Sequence, residues 1–178
     1  MMKHNHKMRQ VYSSQAIATR VSEIAKDINT TYAGQRLVVI CVLKGAVMFF
    51  TDLVRQLNLN LELDFVRLSS YGNCMHSCKA ICITKDVEIS LQGKHVLLVE
   101  DMLDSGLSMD FLFKHLEACG AASLRLAVLI DKQERRETTI SADFTGFTLD
   151  KGFVVGYGLD FAEQYRQLPG IYEIIEPA

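Results

Sequence analysis

Between Val96 and Ser108 the chain reads VLLVEDMLDSGLS: an apolar run stops at Glu100 and Asp101, and Asp104, Ser105, Gly106 and Ser108 follow at once. Serine hydroxyls and the open backbone amides of a helix start bind phosphate. Carboxylates repel it. Glu100 and Asp101 therefore make chemical sense if something sits between them and an anion. A hydroxyl-bearing sugar would serve, as would Mg²⁺, which takes oxygen ligands and joins carboxylates to substrate oxygens. The plainer alternative is a solvated acidic turn in which Asp104 or Ser105 caps a helix. Two carboxylates set directly against a buried strand end, with a phosphate-compatible turn behind them, favour the ligand reading. The turn is neither G-x-x-x-x-G-K-[ST] nor G-x-G-x-x-G.

Such groups need a scaffold that aims them, and the hydrophobic pattern supplies one. RLVVICVL, KHVLLVE and SLRLAVLI are continuous apolar runs, as expected of strands covered on both faces. Ile17, Val21, Ile24, Ala25 and Ile28 recur at helical spacing, which predicts a helix over 13–29 capped by Ser13 or Ser14. KGAVMFFTDLVRQL and LSMDFLFKHLEACG read as further helices, the second closed by Gly120. LELDFVRLS alternates like a half-buried strand. Strand and helix alternate with short connections, which implies an α/β fold built from parallel βαβ units. In such sheets ligands bind beyond the carboxyl ends of the strands, where the acidic turn falls. Residues 70–92 break the rhythm and read as a long excursion or hairpin, and long loops of this kind are usually lids or binding loops. From Phe144 onward short strand-like pieces return.

The 178-residue length and 49% hydrophobic content suit one globular domain over 1–178 that needs no staples. A net charge of −2 gives no reason to expect nucleic acid or an anionic membrane surface as a partner. No run is long enough to span a bilayer, and MMKHNHKM does not continue into an apolar segment. Cys41, Cys74, Cys78, Cys82 and Cys119 lack paired C-x-x-C knuckles, so free thiols in a reducing cytoplasm are the reading. The histidines show no metal-ligand spacing, and Arg135 and Arg136 read as a solvated charge run.

VLLVEDMLDSGLS resembles the phosphoribosyl pyrophosphate motif of type I phosphoribosyltransferases. LKGA at 43–46, RLSSYG at 67–72, LIDK at 129–132 and GFVVGYGLDFAEQYRQLPGIYEI at 152–174 resemble, in order, their hypoxanthine-guanine branch. The resemblance implies a mostly parallel twisted sheet flanked by helices. It adds a small hood, from about 132–178 with the N-terminal segment, and a mobile lid. The implied reaction is Mg²⁺-dependent transfer of the phosphoribosyl group from phosphoribosyl pyrophosphate to N9 of a 6-oxopurine, hypoxanthine or guanine. A homodimer or homotetramer is the expected assembly.

Residue by residue, the resemblance gives the ribose hydroxyls to Glu100 and Asp101. It wraps the 5-phosphate with Ser105, Gly106, Leu107 and Ser108, and makes Asp104 the general base facing the purine N7. Lys44 and Gly45 would present an amide to pyrophosphate, in a peptide often cis in the family. Ser70 and Tyr71 would begin the lid, whose continuation NCMHSC departs from the family pattern. Lys132 would donate to the purine O6, and an ammonium that only donates disfavours adenine's amino group. Phe153 would stack on the base, and the Val154 carbonyl would read its edge. Arg166 would grip pyrophosphate, and Asp160 would join Glu100 and Asp101 as a metal ligand. A regulatory nucleotide-binding protein of the same fold, or an enzyme preferring xanthine, are the competing readings.

Overall fold

The computed structural model describes residues 6–70 and 81–175. Its centre is a six-stranded sheet. In chain order the strands are β2 (Arg36–Leu43), β3 (Asn60–Ser70), β4 (Ile81–Lys85), β5 (His95–Leu103), β6 (Ser123–Lys132) and β7 (Phe144–Leu149). They lie side by side as β4-β3-β2-β5-β6-β7, all parallel except β4, which pairs antiparallel with β3. The segment read as an excursion or hairpin is thus returned to the sheet by β4.

The apolar runs are continuous because both faces are covered. Val39 and Cys41 of β2, with Leu97 and Val99 of β5, pack against α1 (Ser14–Thr31) and α2 (Val47–Val54). Val38, Ile40 and Val42, with Val96 and Leu98, face Met109, Leu112 and Leu116 of α3 (Leu107–Ala118). Each fully buried aliphatic side chain contributes about 1.5–3 kcal/mol, so these two layers hold the sheet edge to which the ligand groups are attached. In α1 the Ser13 hydroxyl accepts from the amide of Ala16, and Ile17, Val21, Ile24, Ala25 and Ile28 are its buried stripe. The helix runs two residues past the expected end at 29 because Tyr32, 2% exposed, packs into the same layer and closes it.

A second, three-stranded sheet stands apart, in the order β1 (Lys7–Tyr12), β9 (Ile171–Ile175), β8 (Val154–Val155). β1 carries no apolar alternation, because as an exposed edge strand it keeps charged residues that deter stray pairing. Its Arg9 meets Glu173 of β9 at 2.6 Å. The small sheet draws on 154–175 and on the N-terminal segment. β7, inside the 132–178 stretch expected to supply the hood, is instead the edge strand of the large sheet. Among the described residues no helix is long and apolar enough to cross a membrane.

Candidate active site

The strand order reverses between β2 and β5, and the crevice beyond their carboxyl ends is where open α/β sheets bind ligands. From β2 the crevice receives Lys44 and Gly45. The cis bond joins Leu43 to Lys44, one peptide before the Lys44–Gly45 bond to which the resemblance pointed. Gly45 lies so close to Asp101 that any side chain would run into that carboxylate.

From β5 come Glu100 and Asp101, and neighbours along a strand face opposite ways. Asp101 lines a cavity of about 530 Å³, whereas Glu100 lines a smaller one of about 120 Å³. Burial pushes the Glu100 carboxyl well above the usual range, and the neighbouring Asp101 charge adds to it. Burial also raises Asp101, opposed in part by a hydrogen bond with the Glu100 carboxyl, then by the amide of Met102 and the charge of Arg166.

The smaller cavity is walled by Ser105, Gly106 and Ser108, the turn that opens α3. Neither Asp104 nor Ser105 is the helix cap. That place falls to Gly106 at φ 83°, with no side-chain cap bond, and only a long contact of 3.4 Å runs from the Leu107 amide to the Ser105 hydroxyl. The first-turn amides keep their capacity to hold an anion. Glycine is required at 106 by its left-handed backbone and because a Cβ there would strike the Thr138 hydroxyl.

Thr138 lies two residues after Arg136, which the sequence left with Arg135 as a solvated charge run, and there the structure corrects the reading of Arg136. Its guanidinium, only 17% exposed, pairs with Asp131. It also donates to the carbonyls of Leu103 (3.1 Å), Asp104 (3.0 Å), Lys132 (3.3 Å) and Ile140 (2.8 Å). The Glu137 amide adds a bond of 2.9 Å to the Ser105 carbonyl. A planar fork of five donors can serve diverging carbonyls, and that need outweighs solvation of the charge. The only sequence signal was its position just after a buried strand end. Arg135 is exposed, as expected.

The larger cavity brings together Asp101, Asp104, Lys132, Phe153, Val154 and Asp160. Asp104 lines both cavities and so stands between them. Lys132 is 7% exposed rather than surface-accessible, because strand β6 carries it inward, and its nearest anion is Glu134 at 3.7 Å. Phe153 is half exposed, its ring edge-on to Phe161 at 5.5 Å. Burying a flat polar ring against it would recover apolar area that water now covers.

Arg166 donates to the Gly158 carbonyl at 2.8 Å and meets Asp160 at 2.8 Å. Glu163, which the sequence reading passed over, joins it to Lys44, at 2.9 Å from the lysine and 3.3 Å from the arginine. These two cations hold the Glu163 carboxyl below the usual range. Ser70 ends β3, while Tyr71, Cys74 and Cys78 lie outside the described residues. Cys82 is a free thiol, 3.2 Å from the Ser69 hydroxyl, and Cys41 and Cys119 are also free.

Among the described residues no group of three or more His, Cys, Asp or Glu side chains is placed to hold a metal by protein ligands alone. The donor set nevertheless fits Mg²⁺, which is commonly held by one or two carboxylates together with substrate oxygens. The buried Oε2 of Glu100 and Oδ1 of Asp104 have no hydrogen-bond partner among the described residues, so a cation or a hydroxyl donor would satisfy them.

A strand-end crevice with paired acids and a phosphate-shaped helix start defines a class, and comparison with known families agrees. The chain belongs to the phosphoribosyl transferase domain family, matched over residues 7–162. Within it the kinship is to the hypoxanthine-guanine branch. The chain is 39% identical over 178 residues to the hypoxanthine-guanine phosphoribosyltransferase of Bacillus subtilis, covering 100% of this chain and 98% of that one. A crystal structure of the Bacillus anthracis hypoxanthine-guanine phosphoribosyltransferase, 37% identical, superposes with a TM-score of 0.89 over 96% of this chain and 99% of that one. The bifunctional TilS/HprT protein of Listeria monocytogenes is 40% identical over 168 residues, 94% of this chain. The chain spans only 26% of that longer relative.

Proposed function

We propose that the protein is a purine-salvage enzyme that moves the 5-phosphoribosyl group from phosphoribosyl pyrophosphate to N9 of hypoxanthine or guanine. The products are IMP or GMP and pyrophosphate. The observation that carries this reading is one cavity lined by a buried ammonium, a half-exposed aromatic ring and a carboxylate oxygen without a partner, opening beside a small cavity at a helix start.

Within it, Phe153 takes the face of the base, Lys132 donates to the 6-oxo group and the Val154 carbonyl reads the ring edge. Asp104 accepts the proton that the purine gives up as N9 forms its bond. Ser105, Gly106, Leu107 and Ser108 hold the 5-phosphate, and Glu100 and Asp101 hold the ribose hydroxyls. Breaking the bond at C1 builds oxocarbenium character, as in glycoside hydrolysis, so fixed carboxylates nearby stabilise the developing charge. Lys44, Gly45 and Arg166 hold the departing pyrophosphate, and Ser70 and Tyr71 open the lid segment. Of Glu100, Asp101 and Asp160, only Asp101 and Asp160 line the same cavity, and these two would hold Mg²⁺ there together with substrate oxygens, where it would supply charge neutralisation for the leaving group; Glu100 lines the smaller cavity. No side chain forms a covalent bond to the substrate.

The finer expectations of a homodimer or homotetramer in the cytoplasm belong to the same proposal. Met48, Leu107 and Phe111 offer exposed apolar area on α2 and α3 for such an assembly. The deciding experiment is a steady-state assay with hypoxanthine, guanine, xanthine and adenine, with and without Mg²⁺. Turnover of the 6-oxopurines that vanishes on chelation is expected, with adenine poor. Turnover after complete chelation, or a preference for adenine, overturns the proposal.

A further inference from the structure

The segment 157–166 is held in an unusual backbone. Tyr157, Ala162, Glu163 and Tyr165 all have positive φ, between 50° and 77°. Non-glycine residues adopt this region at a cost, and a run of them persists only where surrounding contacts enforce it. Here a bridge pairs Gly156 with Leu159, reciprocal bonds of 3.1 and 3.0 Å join Phe161 to Gln164, and the Glu163 amide donates to Asp160 at 2.8 Å. The result of this bracing is to project one carboxylate, that of Glu163, between two cations that come from far apart in the chain, Lys44 and Arg166.

We propose that Glu163 is a built-in surrogate for the diphosphate group: its carboxylate occupies the place between Lys44 and Arg166 that pyrophosphate takes, so the ligand enters by displacing it and leaves as it returns. This inference rests on the assignment of Lys44 and Arg166 to the leaving group, and extends that of Lys44 from its backbone amide to its ammonium. Two features fit a temporary occupant. The Glu163 side chain is 64% exposed and Lys44 47%, so the pairs holding it are worth little and a ligand carrying several negative charges replaces it readily. The Arg166 Nε is buried with no partner among the described residues, so the guanidinium retains donor capacity that Asp160, Glu163 and the Gly158 carbonyl do not use. Without Glu163, Lys44 would lose this partner and Arg166 would keep only the carboxylate of Asp160, and diphosphate would be held more tightly than turnover needs. With Glu163 in place, Lys44 and Arg166 stay aimed while the site is empty, and release of pyrophosphate is helped by an internal competitor.

The reach of Glu163 extends to the base. Its neighbour Phe161 meets Phe153 edge-on at 5.5 Å, at 87° between ring planes.

The test is calorimetric binding of magnesium pyrophosphate to the whole protein, with inhibition by pyrophosphate measured in parallel. Glu163→Gln removes the charge at constant size, and Glu163→Ala removes the side chain. Both are expected to bind pyrophosphate roughly threefold or more tightly than the parent, the combined effect of two exposed ion pairs. The KM for hypoxanthine should change less than the pyrophosphate affinity, and the unfolding temperature should hold, because Glu163 is exposed. A purely structural ion pair predicts a lower unfolding temperature with pyrophosphate affinity unmoved. Affinity that is unchanged or weaker in both variants overturns the inference while leaving the function intact. A parent protein that does not bind magnesium pyrophosphate overturns the functional reading and the inference with it.

Discussion

Replacing Arg136 by alanine perturbs the phosphate turn from behind without touching any ligand. The arginine satisfies four carbonyls, two of them, Leu103 and Asp104, at the root of the turn, and it neutralises Asp131, whose side chain is 14% exposed. A hydrogen bond to a charged group is worth about 1.5–3 kcal/mol, and stranding one member of a buried pair costs about 3–5 kcal/mol. Because both side chains keep some contact with water, the lower end applies, and about 3 kcal/mol is expected. If all of it falls on global unfolding, a protein of this length loses roughly 6–12 °C in Tm. If part is absorbed by local loosening of the turn, the KM for phosphoribosyl pyrophosphate rises by about an order of magnitude and Tm falls less. Steady-state kinetics with each substrate varied in turn, alongside thermal unfolding, separates the two. Arg136→Lys keeps the charge opposite Asp131 but cannot span four carbonyls, so it should lie between parent and alanine. An Arg136→Ala protein with parental Tm and parental KM for phosphoribosyl pyrophosphate would refute this account of the turn.

Other perturbations bear on the site directly. Asp104→Asn should lower kcat at least tenfold while binding phosphoribosyl pyrophosphate nearly as well, since general acid–base groups contribute about 10²–10⁴-fold, and an unchanged kcat removes it from proton transfer. Lys132→Ala should raise the KM for hypoxanthine by about tenfold with that for phosphoribosyl pyrophosphate little moved, and intact base affinity would leave the lysine without a role in recognition. Gly45→Ala should displace the Asp101 carboxylate and depress turnover while the purified protein stays folded by circular dichroism; normal turnover would mean that this close packing is dispensable. Glu100 supplies a pH test. Its folded value is raised, so the stability contributed by its protonated form is fully present below the ordinary 4.5 and is lost as pH rises through the raised value. In that window, binding of Mg²⁺ and phosphoribosyl pyrophosphate should release a proton. Calorimetry in buffers of different ionisation heat detects it, and heats independent of buffer contradict it.

How much of this was legible beforehand depended on burial. Strands β2, β5 and β6 announced themselves because both their faces are apolar, and the acidic turn did so because it follows one of them without a break. α1 was legible from its five-residue stripe and its serine cap. β1 was not, since an exposed edge strand has no hydrophobic period to read. Arg136 and Glu163 were missed for a different reason. A charged side chain reads as solvated unless its partners are adjacent in sequence, and theirs are up to 33 and 119 residues away. Lys132 was placed at the right edge of the sheet, but its burial was not legible, because a lysine that follows a strand end ordinarily reads as solvated.

The small sheet has a consequence for the order in which the molecule can assemble. Among the described residues β8, next to the stacking Phe153, pairs in the sheet with β9, and β9 pairs with β1, so that Lys7 meets Ile175. Contacts of such separation form late, after the cost of closing the loop has been met by everything between. The strands of the large sheet and the phosphate turn all lie before the end of β7, although Val154, Tyr157, Leu159 and Ile171 complete one of its core layers. In a chain folding from its N-terminus, the strands that carry the 5-phosphate turn are therefore available first, and the floor for the base waits for β9.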